Sequence, residues 1–151
     1  MTSLKERLGE EGPARQRLIA DACEVLDQEV ADKGGLGGIA IKGAYSVIKS
    51  IKPGFITEVV DSLLDDFLDA LDPIAQEASA KGVPAGKHLA ANAERAADKL
   101  LAITDERVAR STRAVIRKTY EKLRPTAIKQ VAAAAPRLGQ LLDRHFPPVA
   151  A

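Results

Sequence analysis

The chain of 151 residues carries 22 Lys and Arg against 21 Asp and Glu, a net charge of +1. Hydrophobic residues make up 46% and charged residues 28%, a globular balance that excludes general disorder. With 3% aromatics, no Trp and one cysteine, the core has to be Ala, Leu, Val and Ile, and an internal disulfide is excluded.

The length fits one domain, residues 1–151. Apolar residues recur at spacings of three and four, and no segment alternates for long with period two. The expected fold class is therefore all-α, a compact bundle of about seven to nine helices. Ser3 with Glu6 forms a capping-box pattern that opens a short first helix, ended by Gly9. Gly12-Pro13 opens a long second helix to about Asp32. Gly34, Gly35, Gly37 and Gly38 then interrupt the pattern. A third helix is expected over about Gly38–Lys52, stopped by Pro53-Gly54.

The fourth helix, about Phe55–Leu71, has an apolar stripe of Ile56, Val59, Val60, Leu63, Phe67 and Leu71. Asp72-Pro73 reads as an N-cap and N1 proline of a short linker helix ending near Gly82. A loop follows, then a sixth helix over about Lys87–Ile103. Thr104 reads as the cap of a seventh, about Asp105–Leu123, ended by Arg124-Pro125. The last helical stretch, Thr126–Phe146, contains Pro136, which should kink or split it, and residues 147–151 read as a frayed tail.

The two halves, about 13–73 and 86–147 with a linker over 73–86, look like a diverged duplication of a three-helix unit with pseudo-two-fold symmetry. Ile41-Lys42 and Tyr45 align with Ile116-Arg117 and Tyr120; Ile51-Lys52-Pro53 aligns with Leu123-Arg124-Pro125. Charge is split along the chain. Residues 1–75 hold 8 Lys and Arg against 14 Asp and Glu (net −6), and residues 76–151 hold 14 against 7 (net +7).

Several motifs carry a resemblance. They are Asp32-Lys33-Gly34, Leu36-Gly37, Ile41-Lys42, Ala44-Tyr45 and Ile51-Lys52-Pro53-Gly54. Leu63-Leu64, Phe67, Ala70-Leu71 and Pro73 follow, with Tyr120 and Lys122-Leu123-Arg124-Pro125 in the second half. Together they resemble a small family of uncharacterised bacterial, actinobacterial-type helical proteins. The resemblance implies the all-helical fold; it implies no activity and transfers no site residue.

The glycine cluster with Lys42 has the outline of a phosphate loop. A P-loop needs a preceding strand and a Ser or Thr after the lysine, whereas here a helix precedes and Gly43 follows. An interhelix corner is the favoured reading, with an anion site at Gly37, Gly38 and Lys42 as the sharper one. Glu58, Asp61, Asp65, Asp69 and Asp72 share one helix face, either solvated or a docking face for a basic partner. No Glu-x-x-His pair accompanies them, so neither a metal nor another cofactor is expected.

Arg107, Arg110, Arg113, Arg117 and Arg124, with Lys118, form the opposing basic stripe on the seventh helix. Few aromatics stand near it for base stacking, which argues against nucleic acid. Cys23, spaced with Ile19, Leu26 and Val30, reads as a buried thiol. His145 reads as a terminal cap, and the isolated serines have no base beside them, so an enzyme is not expected. Residues 1–17 are charged throughout and lack an apolar signal core, and no run reaches the roughly 18–20 apolar residues that span a bilayer. A cytoplasmic protein is expected.

The leading expectation is a non-enzymatic protein-interaction or scaffold module that uses the two stripes, with a protein partner or by self-association that pairs unlike faces. The alternatives are a carrier of a small apolar or acyl ligand between helices, and binding to an anionic surface, nucleic acid or membrane, through the basic helix.

Overall fold

A computed structural model describes residues 2–9 and 12–147. Among the described residues there are eight helices and no strand. In α1 (Leu4–Leu8), Ser3 Oγ accepts the Glu6 amide at 3.1 Å and Asp72 Oδ1 accepts the Leu4 amide at 3.0 Å. Two first-turn donors are thereby satisfied, one of them from far along the chain. Pro13 occupies the first turn of α2 (Pro13–Asp32), as its missing amide allows. The next helices are α3 (Gly35–Lys49) and α4 (Phe55–Lys81). Then come α5 (Ala85–Ala91), α6 (Ala93–Ala109), α7 (Ala114–Ala133) and α8 (Ala135–His145).

Three breaks expected from the sequence are not breaks. There is no separate linker helix at Pro73, because α4 runs through it to Gly82, whose φ of +69° closes the helix. The proline forfeits one backbone bond. Leu71, Ile74 and Ala78, all buried, hold the turns on either side. Asp72 caps α1 instead of a new helix. Thr104 is likewise no cap: it lies inside α6, its hydroxyl donating to the Leu101 carbonyl at 3.1 Å. The real break comes later, at Arg110–Arg113. Pro125 does not end α7, whose next residues are tethered through Arg124, bonded by two nitrogens to Asp105 at 2.8 and 3.0 Å. Pro136 does mark a split, standing in the first turn of α8.

The corner between α2 and α3 needs two of its four glycines. Gly35 has φ +69°, and a Cβ on Gly38 would lie 2.5 Å from the Lys33 carbonyl oxygen. Gly34 and Gly37 face open space.

The buried side chains are unevenly distributed. One end of the bundle is a continuous core of Leu4, Leu18, Leu68, Ile74, Leu89 and Leu142, from five different helices. Phe146 joins it at 3% exposure, and Arg7 holds that end by donating to the Pro147 carbonyl at 2.6 Å. Residues 148–151 of the expected frayed tail lie outside the described residues. At the other end, α7 buries no described residue and α3 buries only Gly38. The expected stripe on α4 is displaced accordingly. Of its six members only Leu71 is buried; Leu64, Leu68, Ile74 and Ala78 form the inward face. Val59 and Leu63 are left for something else. Cys23 is half-buried rather than buried, 3.8 Å from Thr57 Oγ1.

Candidate functional site

Val59 and Leu63 line a groove of about 670 Å³ between α4, α6 and α7. Its apolar wall continues through Ile48 at the end of α3, Phe55, Val108, Ile116 and Leu123. The four residues Arg110–Arg113 that join α6 and α7 all belong to its lining. Arg107, Arg110 and Arg113 stand at or beside that link, while Glu58 and Tyr120 also reach the lining.

The basic stripe is therefore not one face of one helix. Arg107 belongs to α6, Arg110 and Arg113 to the link, and Arg117 and Arg124 to α7. Their roles differ. Arg107 donates to Ser62 Oγ at 3.1 Å, to the Ser62 carbonyl at 2.9 Å and to Asp66 at 3.1 Å, which ties α6 to α4. Arg110 pairs with Glu106 at 3.3 Å on the exposed surface. Arg117 donates to the Ser111 carbonyl and closes the link onto α7. Arg113 has its guanidinium 5.5 Å from the Phe55 ring centroid and has no ion-pair partner among the described residues. It is the cation left free at the apolar groove.

Arg124 belongs to a second tether. Asp105 accepts from Arg124 and, at 2.5 Å, from the Tyr120 hydroxyl, which lies 2.6 Å from Thr104 Oγ1. The hydrogen bond from Arg124, then that from Tyr120, holds the Asp105 carboxyl below its ordinary value. Burial and Asp105 together push the Tyr120 phenol up, so it stays a donor. The first hairpin repeats the device: Tyr45 on α3 donates to Asp27 on α2 at 2.6 Å, its phenol raised by burial and then by Asp27.

The acidic residues do share a face, and each has a partner within the chain. Arg15, 8% exposed, donates to Asp61 Oδ1 at 3.0 and 3.2 Å, to the Asp61 carbonyl at 3.0 Å and to Asp65 at 2.9 Å. Asp69 lies 3.5 Å from Lys5, Asp72 caps α1 and Glu58 lies 2.8 Å from Lys52. The face straps α1 and α2 to α4. None of these five pairs with the five arginines of the basic stripe among the described residues.

At the glycine corner, the Gly38 amide is already spent on the Gly34 carbonyl at 3.0 Å. Lys42 is exposed two turns further on, about 10 Å along the axis from the start of α3. Gly37 stands in the first turn with open space beside it.

Both histidines are engaged in the closed end, away from the groove. His88 Nε2 lies 3.0 Å from Glu77 Oε1, and Arg95 grips both Glu77 oxygens at 2.8 and 2.6 Å. Those bonds, Arg95 first, pull Glu77 down to about 2. His145 lies 2.7 Å from Asp21, an interhelix pair rather than only a cap for α8. No cluster of three metal-ligating side chains occurs among the described residues, and no described helix is long and apolar enough to cross a membrane.

Sequence reasoning missed the groove, because it assigned Val59 and Leu63 to the core. Of the free lysines on α7 it named only Lys118 and missed Lys122 and Lys129. Lys118, Lys122 and Lys129 fall on one outward face and have no ion-pair partner among the described residues. Neither curated proteins nor solved structures include a match to this sequence. A match does come from a family of unknown function (DUF6918), which spans residues 4–146, from the first core leucine to the last core phenylalanine; the chain belongs to that family.

Proposed function

We propose that the protein is a non-enzymatic binding protein whose groove between α4, α6 and α7 holds an elongated apolar molecule with an anionic end. The observation that carries this reading is an apolar trough of about 670 Å³ with the unpaired Arg113 guanidinium at one end. Ligand sites of small molecules have this size and this mixture, mostly apolar with a few placed polar groups. An acyl chain would cover Val59, Leu63, Ile116 and Leu123, and its carboxylate or phosphate would meet Arg113.

Binding rather than turnover is favoured by the hydroxyls at hand. Ser62 is held between the Val59 carbonyl and Arg107, and no histidine or cysteine lines the groove to activate it. The docking of a basic partner on the acidic face is the weaker reading, since those carboxylates are occupied by Arg15, Lys5 and Lys52.

Three probes of equal chain length separate the contributions: decanoate, decanol and decyltrimethylammonium, titrated by calorimetry and checked by native mass spectrometry. Decanoate should bind best and the ammonium worst. Arg113→Ala should erase the difference between decanoate and decanol. Equal binding of all three by the parent protein, or none, sinks the proposal.

A further inference from the structure

Helices α3 and α7 adjoin, and they share a second property besides their lack of buried side chains. Of the six large hydrophobic residues that are exposed among the described residues, five lie on these two helices: Leu36, Ile39, Val47, Val115 and Ile128. Leu36 is 87% and Ile39 69% exposed, far beyond incidental surface exposure of an aliphatic side chain. On α3 the apolar positions Leu36, Ile39, Gly43 and Val47 follow helical spacing, so they form one uncharged face. On α7, Val115 shares its face with Lys118, Lys122 and Lys129.

Charge is concentrated on the same two helices. Helix α3 has two lysines and no acid; α7 has five basic residues against one acid, Glu121. The two helices thus carry +6 in a chain whose net charge is +1. Lys42, Lys118, Lys122 and Lys129 have no ion-pair partner among the described residues, in contrast to the tethered Arg107 and Arg124.

We propose that the α3–α7 surface docks on an anionic lipid bilayer, with Leu36 and Ile39 entering the headgroup boundary and the lysines contacting lipid phosphates. Such an interface rewards both features at once, apolar area and positive charge. A second copy is a poor occupant, because a two-fold contact through this face sets lysines against lysines. A nucleic acid would satisfy the lysines but offers Leu36 and Ile39 no apolar phase, and the only aromatics of these helices, Tyr45 and Tyr120, have their hydroxyls turned to Asp27 and Asp105.

The test is co-sedimentation of the full chain with vesicles of phosphatidylcholine alone and of phosphatidylcholine mixed equally with phosphatidylglycerol. The anionic vesicles should retain the protein and release it as salt rises. Lys118→Gln and Lys122→Gln should each lower the partition coefficient about five-fold. The double variant Leu36→Asp, Ile39→Asp should abolish retention without changing the thermal melt, since both side chains already face solvent. Equal retention on both vesicle types, retention by the double variant, or no retention together with a dimer that the double variant dissolves would each overturn the proposal. The groove reading fails separately: Leu63→Trp should block decanoate and leave vesicle retention intact, whereas Leu36→Asp should do the reverse.

Discussion

Gly86 on α5 and Gly139 on α8 meet backbone to backbone: a Cβ on Gly139 would stand 2.6 Å from the Gly86 carbonyl oxygen. The Gly86 amide also donates to Asp143 at 2.8 Å. Two helices approach this closely only where neither carries a side chain. Gly86→Ala and Gly139→Ala should each destabilise the protein by about 3 kcal/mol, as for overpacked sites where backbone has to move. Gly37→Ala, in the first turn of α3 with open space around it, should stabilise it by about 0.5–1 kcal/mol. Urea unfolding measures all three. A loss at Gly37 equal to that at Gly139 would contradict the assignment.

Leu63 and Leu68 lie on the same helix and differ in fate. Leu68 is 4% exposed in the closed core, while Leu63 lines the groove. Leu68→Ala should cost about 2–5 kcal/mol. Leu63→Ala should cost less than about 1.5 kcal/mol, because water already reaches the site and no sealed cavity is left. Chemical denaturation of the two variants side by side decides it; equal losses would mean that the groove is closed in solution.

Arg15 is the one arginine that bridges two carboxylates and a main-chain carbonyl while nearly buried. Asp61 and Asp65 remain half-exposed, so water can take over part of their solvation. Arg15→Ala is expected to cost about 2 kcal/mol, below the value for a fully buried pair. Arg15→Lys should recover less than half of that, since an ammonium cannot span the three acceptors. Full recovery by lysine would show that charge alone matters.

Acid should weaken the ion pairs that join the helices. Glu77 is lowered from 4.5 to about 2 by Arg95 and then His88. A carboxyl whose folded value lies below its unfolded one contributes stability above the unfolded value and loses it as pH falls through the folded value. Asp21, lowered chiefly by the hydrogen bond from His145, and Asp105, lowered chiefly by that from Arg124, act in the same direction. The melting temperature should hold steady from neutrality to about pH 5 and fall between about 4.5 and 2. Glu77→Gln should lower the plateau and make the acid limb shallower. Thermal melts followed by circular dichroism give both curves, and a flat acid limb in the parent would refute the linkage.

The helical class, the start of α2, the glycine corner and the stop near Lys81–Gly82 were legible in local pattern, because caps, glycines and period are short-range signals. The prolines misled. Whether Pro73 ends a helix depends on Ile74 and Ala78 finding a core, and that core comes from α1, α5 and α8. Thr104-Asp105-Glu106 has the composition of a helix start, yet Thr104 and Asp105 are spent on Tyr120 and Arg124, partners named only by the fold. The arginine stripe stood out by residue type and spacing. Spacing does not reveal which cations find a carboxylate, and the quieter lysines of α7 are the ones left over.

The bond from Arg7 to the Pro147 carbonyl, with Phe146 in the same hydrophobic cluster as Leu4 and Leu8, also orders events in time. The hairpins α2–α3 and α6–α7 close between neighbours in sequence and can form as soon as they are made. The hydrophobic cluster cannot: α1 waits for α8, more than a hundred residues later. Leu18, Leu68 and Ile74 therefore gain the cover that α8 gives them only once that helix has been made.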